Sequence, residues 1–328
     1  MVNSFQGYVK DMKKIFLLIT VFLLLFSFAG CARQEPAAID IGSLRGPTSI
    51  GMIRLHDQQP GFGDMEAEYH IIQSPEIMVS NVLSKDIDIA ALPTNIAAQL
   101  YNRGIEYSLI AIIGYNVLYI VSLDDSISSW EDLRGKQINV PARGSTPDVV
   151  LRYLLAENGL EAGSEVTLDY TANHIEISQL MISGDTDIAI LPEPFVTMVL
   201  NNNEDTQIIM DIGQEWSRLE DGLPLPMSCL VASRDLLDEH PEIIDEFLKE
   251  YEDSVDWVNE NPHQASLLVE NFEIGMQAET ALQAIPRCNI RFTPSAQAKE
   301  MVDNFIQVLL DFSPEDVGGK VPDEGFYY

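Results

Sequence analysis

The chain has 328 residues, with 19 basic and 51 acidic side chains, a formal net charge of −32 and 46% hydrophobic residues. A surface this acidic is repelled by phosphate backbones, which excludes nucleic-acid binding. Acids alternate with apolar residues throughout, the mark of a solvated globular surface, and the length predicts two lobes.

Residues 12–31 read as a secretory signal ending in a cysteine. Lys13 and Lys14 form its positive end, Ile15 to Ala29 its apolar run, and Ala29-Gly30 the small residues that a signal peptidase needs. The run is too short for a stable transmembrane helix, which takes about 20 apolar residues. Cys31 directly after Ala-Gly resembles the lipobox of bacterial lipoproteins, although Phe28 stands where leucine is commonest. The resemblance implies that the Cys31 sulfur takes up diacylglycerol and becomes the first residue of the mature chain. The plainer reading is a buried cysteine in an apolar segment. Met12 suits the signal better than Met1 as a start. Leaving out residues 1–30 removes three bases and one acid, so the remainder is more acidic still. Residues 31–38 are then a lipidated tether.

Beyond the tether, strand-like runs alternate with amphipathic runs of helix length. Strands are expected at 39–44, 67–72, 87–92, 109–113 and 118–121, and helices at 48–58, 75–84 and 94–102. The pattern then restarts. A helical turn at 130–133 is followed by strands at 138–140, 166–170 and 188–191, with helices at 146–158, 176–183 and 195–200. One more strand begins near Leu230, and the rest is almost wholly helical, most clearly at 245–260 and 295–310. The β-α-β-α order implies α/β lobes, each a mainly parallel sheet flanked by helices. Lys85-Asp-Ile-Asp-Ile-Ala-Ala-Leu-Pro93 and Gly184-Asp-Thr-Asp-Ile-Ala-Ile-Leu-Pro192 share the core Asp-Ile-Ala-x-Leu-Pro, once in each half. Two similar lobes explain this repeat, with residues 39–121 and 226–328 forming one and 122–225 interrupting it as the other.

In open sheets of this kind ligands sit beyond the carboxyl ends of the strands, where helix N-termini offer free N–H groups. Four junctions carry suitable residues: Arg45, Gly46, Pro47 and Thr48; Thr94 and Asn95; Gly144, Ser145 and Thr146; and Glu193 after Pro192. Each also reads simply as a helix cap. Tyr115 and Asn116 end a strand on the same side, and His174 flanks a junction as a capping residue or a site residue. Trp216 either stacks on a flat ligand or seals the hinge. Helix N-termini with Arg45 and Arg143 favour an anion, whereas Glu193 and the large negative field favour an amine or hydroxyl ligand. A flat, partly polar heterocycle suits both. No nucleophile elbow, phosphate-binding loop or zinc-protease motif occurs, so neither catalytic residues nor a cofactor are expected. His56, His70, His174, His240 and His263 show no metal-ligand spacing, and no metal site is expected. Cys229 and Cys288 read as unpaired buried thiols.

Together these residues resemble the type II periplasmic binding proteins of ABC importers, in particular the nitrate, sulfonate, taurine and thiamine-precursor group. The stretch Trp130-Glu-Asp-Leu-Arg-Gly-Lys-Gln-Ile-Asn-Val-Pro-Ala-Arg-Gly-Ser-Thr146 carries most of the likeness, with Leu151-Arg152, Asn158-Gly159-Leu160 and Asp187-Ile-Ala-Ile-Leu-Pro-Glu-Pro-Phe195. Arg45-Gly46-Pro47-Thr48 replaces a more variable first loop, so the ligand class does not carry over. The resemblance implies a monomeric two-lobed clamp, held on the extracytoplasmic face of the cell membrane by lipid on Cys31. It would close on a small molecule and deliver it to an ABC permease with its ATPase. The same fold hosts enzymes of pyrimidine and menaquinone biosynthesis, and a tethered ligand sensor would use the same clamp.

Overall fold

The structure, a computed structural model, describes residues 38–328; the signal segment and residues 31–37 of the tether, Cys31 among them, lie outside the described residues. Strand β1 (Ala38–Leu44) leads into two short helices, α1 (Pro47–Gly51) and α2 (Ile53–Gln58), where the sequence pattern suggests one. The break follows from Gly51. Ser254 Oγ donates to its carbonyl at 2.8 Å, and the Tyr251 hydroxyl lies 2.9 Å from where a β-carbon would sit.

The chain continues through β2 (Glu66–Ile72), α3 (Pro75–Ser84), β3 (Ile89–Pro93), α4 (Thr94–Asn102) and β4 (Tyr107–Tyr115). It then forms β5 (Leu118–Ser122), a 3-10 turn at Trp130–Leu133, β6 (Gln137–Asn139), α5 (Thr146–Glu157), β7 (Thr167–Asp169) and α6 (His174–Ser183). Next come β8 (Ile188–Pro192), α7 (Phe195–Asn202), β9 (Gln207–Asp211) and α8 (Ile212–Leu219). Strand β10 (Pro226–Ser233) precedes α9 (Arg234–Glu239), α10 (Pro241–Glu260), α11 (Pro262–Asn271), α12 (Ala278–Ala284), β11 (Ile290–Pro294) and α13 (Ser295–Phe312). Helix α6 begins two residues before the expected 176 because the Asn173 side chain accepts from the N–H groups of Ile175 and Glu176.

Two sheets result, a six-stranded one in the order β11-β4-β10-β3-β1-β2 and a five-stranded one in the order β7-β6-β8-β5-β9. The repeated segments are β3 and β8, and they hold equivalent places. Each is buried along its whole length, with a parallel neighbour on one side (β1 or β6) and an antiparallel neighbour on the other (β10 or β5). Burial on both faces is why both read as unbroken apolar runs.

The reversed strands β5 and β10 make each sheet mixed, and their direction has a topological cause. Strands β1, β3, β4, β6 and β8 end at the interlobe cleft, so a strand entering from the other lobe must begin there. The first crossing lies at Asn116-Val117. Strand β5 pairs with β8 and β9, so residues 118–121 join the second sheet and not the first lobe, where the sequence reading put them. Sheet membership depends on strand partners, which an apolar run does not reveal.

One core runs from α3, α4 and α13 through the crossing strands to α5 and α8. A second fills the other face of the first sheet under α10, and a third fills the other face of the second sheet under α6 and α7. Cys229 and Cys288 are free and buried. Among the described residues no helix is long and apolar enough to cross a membrane.

Candidate ligand-binding site

Where the strand ends of the two sheets meet lies an inner chamber of about 110 Å³. Leu44, Pro93 and Gly114 line it from one sheet, Pro192 from the other with Phe195 at the start of α7, and Met227 and Ser228 from the returning strand. It adjoins a mouth of about 450 Å³ reaching out to Tyr170 and Asn173, with Arg45, Pro75, Ala142, His174 and Phe195 common to both spaces. Most of the inner wall is apolar. Its polar side chains are hydroxyls, Arg45 and His174.

Of the residues expected at a site, Arg45, Pro47, Thr48, Ser145, Thr146 and His174 line the chamber. Gly46 makes the turn between Arg45 and Pro47 at φ 121°, a conformation that favours glycine. Thr48 Oγ1 donates to the Leu44 carbonyl at 2.7 Å, and Ser145 Oγ donates to the Ala142 carbonyl at 2.6 Å. Both hydroxyls thus shape their own loops. Arg45 differs: its Nε is buried and finds no hydrogen-bond partner among the described residues. Burial pushes the His174 imidazole down to about 4, so it is neutral at physiological pH, and its ring stacks on Phe195 at 5.5 Å.

The other expected residues serve the contact between the lobes, the hinge or the core. Asn95 Oδ1 accepts from Thr146 Oγ1 at 2.8 Å, and Asn95 Nδ2 donates to the Gly144 carbonyl at 2.9 Å. The two helix-start junctions are therefore bonded directly to each other across the cleft. Thr94 is fully buried beside the Cys229 thiol. The Tyr115 carbonyl accepts from Asn289 Nδ2, and its ring packs in the core. Asn116 ties the two crossing segments together: its N–H donates to the Leu225 carbonyl at 3.2 Å, and its Oδ1 accepts from the Leu225 N–H at 2.7 Å. Trp216 has no exposed surface and packs edge-on against Tyr153 and Phe305, so it is a core residue and lines neither space of the cleft.

Glu193 is likewise withdrawn from the cleft. Its carboxylate has no exposed surface, accepts from the N–H and hydroxyl of Thr197 at 3.0 and 2.8 Å, and pairs with Arg287 Nε at 2.7 Å. Burial raises its pKa, and Arg287 opposes that rise. This ion pair joins the second lobe to the segment before β11 of the first. On the opposite flank Arg152 of α5 bridges the buried Asp148 at 3.1 Å and Asp316 near the C-terminus at 2.7 Å. Arg143, expected to favour an anion, instead lies over the Tyr170 ring at 4.2 Å.

Sequence reading missed Gly114, Phe195, Met227 and Ser228. A glycine inside a strand was the available signal for close backbone approach at Gly114. Pro93 and Pro192 were visible as the last residues of the repeat.

Two mixed sheets, joined by two crossing segments and enclosing a cleft at their strand ends, define a two-lobed solute-binding protein. Residues 62–275 match the family described as ABC transporter, phosphonate, periplasmic substrate-binding protein, and the chain belongs to it. An ABC transporter protein from Parabacteroides distasonis is 26% identical, with a TM-score of 0.75 over 89% of this chain and 99% of its own. The periplasmic aliphatic sulphonate binding protein of Escherichia coli is 16% identical, with a TM-score of 0.68 over 88% of this chain and 93% of its own. The periplasmic nitrate-binding protein of Synechocystis PCC 6803 is 14% identical, with a TM-score of 0.65 over 85% and 82%. No curated protein matches. The chain is thus the substrate-binding component of an ABC import system, in a family of extracytoplasmic transport proteins.

Proposed function

We propose that the cleft captures a small organic anion, with its oxyanion group against Arg45 and the start of α5 and its organic part against Phe195, Met227 and the chamber prolines. The observation that carries this reading is the buried Arg45 Nε without a partner. An unmade bond at a buried cationic donor is costly, and an anionic ligand would supply it. Ser228 lines the same space, and its hydroxyl is placed to donate to a phosphonate or sulfonate oxygen. The stack of His174 on Phe195 gives a second reading, a flat heterocycle lying against that pair. On either reading the ligand stabilises the closed clamp through contacts with both lobes, 39–117 with 226–328 and 118–225.

The lipobox reading completes the proposal. Lipid on Cys31 holds a monomeric receptor on the extracytoplasmic membrane face, beside its permease and at high effective concentration. Import, not sensing, follows from the family. The test is native mass spectrometry of the freshly purified protein, then a thermal-shift screen of phosphonates, sulfonates, inorganic oxyanions, heterocyclic vitamins and amines. An anion should raise the melting temperature of the wild type and not of Arg45→Ala. Binding of amines alone, or equal anion binding by Arg45→Ala, refutes the site. Cys31→Ser should release the protein from the membrane fraction; continued attachment refutes the anchor.

A further inference from the structure

We infer that Asp40, Glu68 and His70 form a divalent-metal site on the first lobe, separate from the ligand cleft. The three residues come from two strands. On β2, Ala67, Tyr69 and Ile71 pack into the core under α10, so the alternation of a strand turns Glu68 and His70 to the opposite face. On β1, Ile39 and Ile41 are in that same core, so Asp40 joins Glu68 and His70 on their face. One ligand atom from each of the three lies within 4.8 Å of the other two. The distance is already short between two of them, with His70 Nε2 and Asp40 Oδ1 2.7 Å apart.

The charge balance points the same way. Asp40 pairs only with His70 among the described residues, and Glu68 takes part in no described ion pair. Asp88 adds a further carboxylate behind them, its Oδ2 accepting from the Asp40 N–H at 3.0 Å. Two carboxylates and an imidazole on neighbouring strands are a donor set for Zn²⁺, which binds such N and O ligands at about 2.0–2.2 Å and completes its shell with water. A bound ion would replace the hydrogen bond between His70 Nε2 and Asp40 Oδ1, the two ligand atoms moving apart to coordinate it. It would also clip the edge strand β2 to β1. The far end of β2 is held near the cleft by the Arg45 N–H, which donates to the Ile72 carbonyl at 2.9 Å.

The experiment uses the detergent-solubilised full chain without a polyhistidine tag, stripped with EDTA and titrated with Zn²⁺, Mn²⁺ and Mg²⁺. One Zn²⁺ per chain should bind, with Mn²⁺ weaker in line with the general affinity order. At about a hundredfold excess over the dissociation constant, Zn²⁺ should raise the melting temperature by roughly 5 °C. Glu68→Gln and His70→Gln should each weaken Zn²⁺ binding about tenfold or more, at least the loss seen when a residue behind the ligands is changed. Glu68 is exposed, so Glu68→Gln leaves the fold intact. Glu242→Gln, at the His240–Glu242 pair elsewhere on the surface, should bind as the wild type does. Absence of Zn²⁺ uptake, unchanged affinity in Glu68→Gln and His70→Gln, or equal loss in Glu242→Gln each overturns the site.

Discussion

Replacing Arg287 with Gln should destabilise the protein far more at pH 8 than at pH 5. Glu193 has no exposed surface, and its only cationic partner among the described residues is Arg287. Breaking a fully buried ion pair by removing one partner costs about 3–5 kcal/mol. The Arg287 side chain is itself 42% exposed, so solvent screens its side of the pair, and about 2 kcal/mol is the reasonable figure. For a chain of this size that lowers the melting temperature by roughly 4 °C.

The pH dependence follows from the direction of the Glu193 shift. Its folded-state pKa is raised, chiefly by burial, and Arg287 is the first of the influences that lower it. Removing Arg287 raises it further. A carboxyl with a raised folded pKa favours folding most below its unfolded pKa, and that contribution is lost as pH rises through the folded value. The variant therefore escapes most of its penalty by protonating Glu193 in acid and bears it fully in base. Thermal unfolding followed by circular dichroism at pH 5 and pH 8 measures this. The double variant Glu193→Gln/Arg287→Gln should recover much of the loss at pH 8, because it removes the stranded charge. An equal fall in melting temperature at both pH values, or no recovery in the double variant, would refute the reasoning.

Thr146→Val removes the hydroxyl bond to Asn95 and should cost about 1 kcal/mol. It should also shift the unliganded protein toward an open form, read as a larger radius of gyration by small-angle X-ray scattering. Trp216→Ala should cost about 3–5 kcal/mol as a core truncation, whereas the non-aromatic Trp216→Leu should retain ligand affinity, which a stacking role for Trp216 would not allow. Burial lowers His56 and His174 to about 4. Both therefore favour folding above their unfolded pKa near 6.5, and the melting temperature should fall as pH drops from about 6.5 to 4. His174→Gln should flatten that slope in a pH series of melts.

The fold was legible where residues act through local pattern. The repeat marked β3 and β8 as a buried strand recurring once in each half, because both are apolar on both faces. Capping chemistry and prolines located α3, α4 and α5 to within a residue or so. Strands β9 and β11 were missed because edge strands such as Gln207–Asp211 are half-exposed and lack a continuous apolar run. The site was legible as a set of loops and not as a set of contacts. Thr146 and Asn95 were both recognised as pocket candidates, yet their hydrogen bond joins them to each other.

The sequence by itself determined two α/β halves of common plan, an acidic surface, the apolar strand cores and the loops that surround the cleft. Periodicity, composition and capping act over a few residues and can be read in one dimension. Only the tertiary structure decided which polar groups remain free. It gave Glu193 to Arg287, Asn116 to the hinge and Trp216 to the core, and left Arg45 Nε without a partner. It also placed Asp40 beside His70, although no ligand spacing links them along the chain. These outcomes depend on pairings between segments far apart in sequence, and burial and hydrogen-bond satisfaction are properties of those pairings.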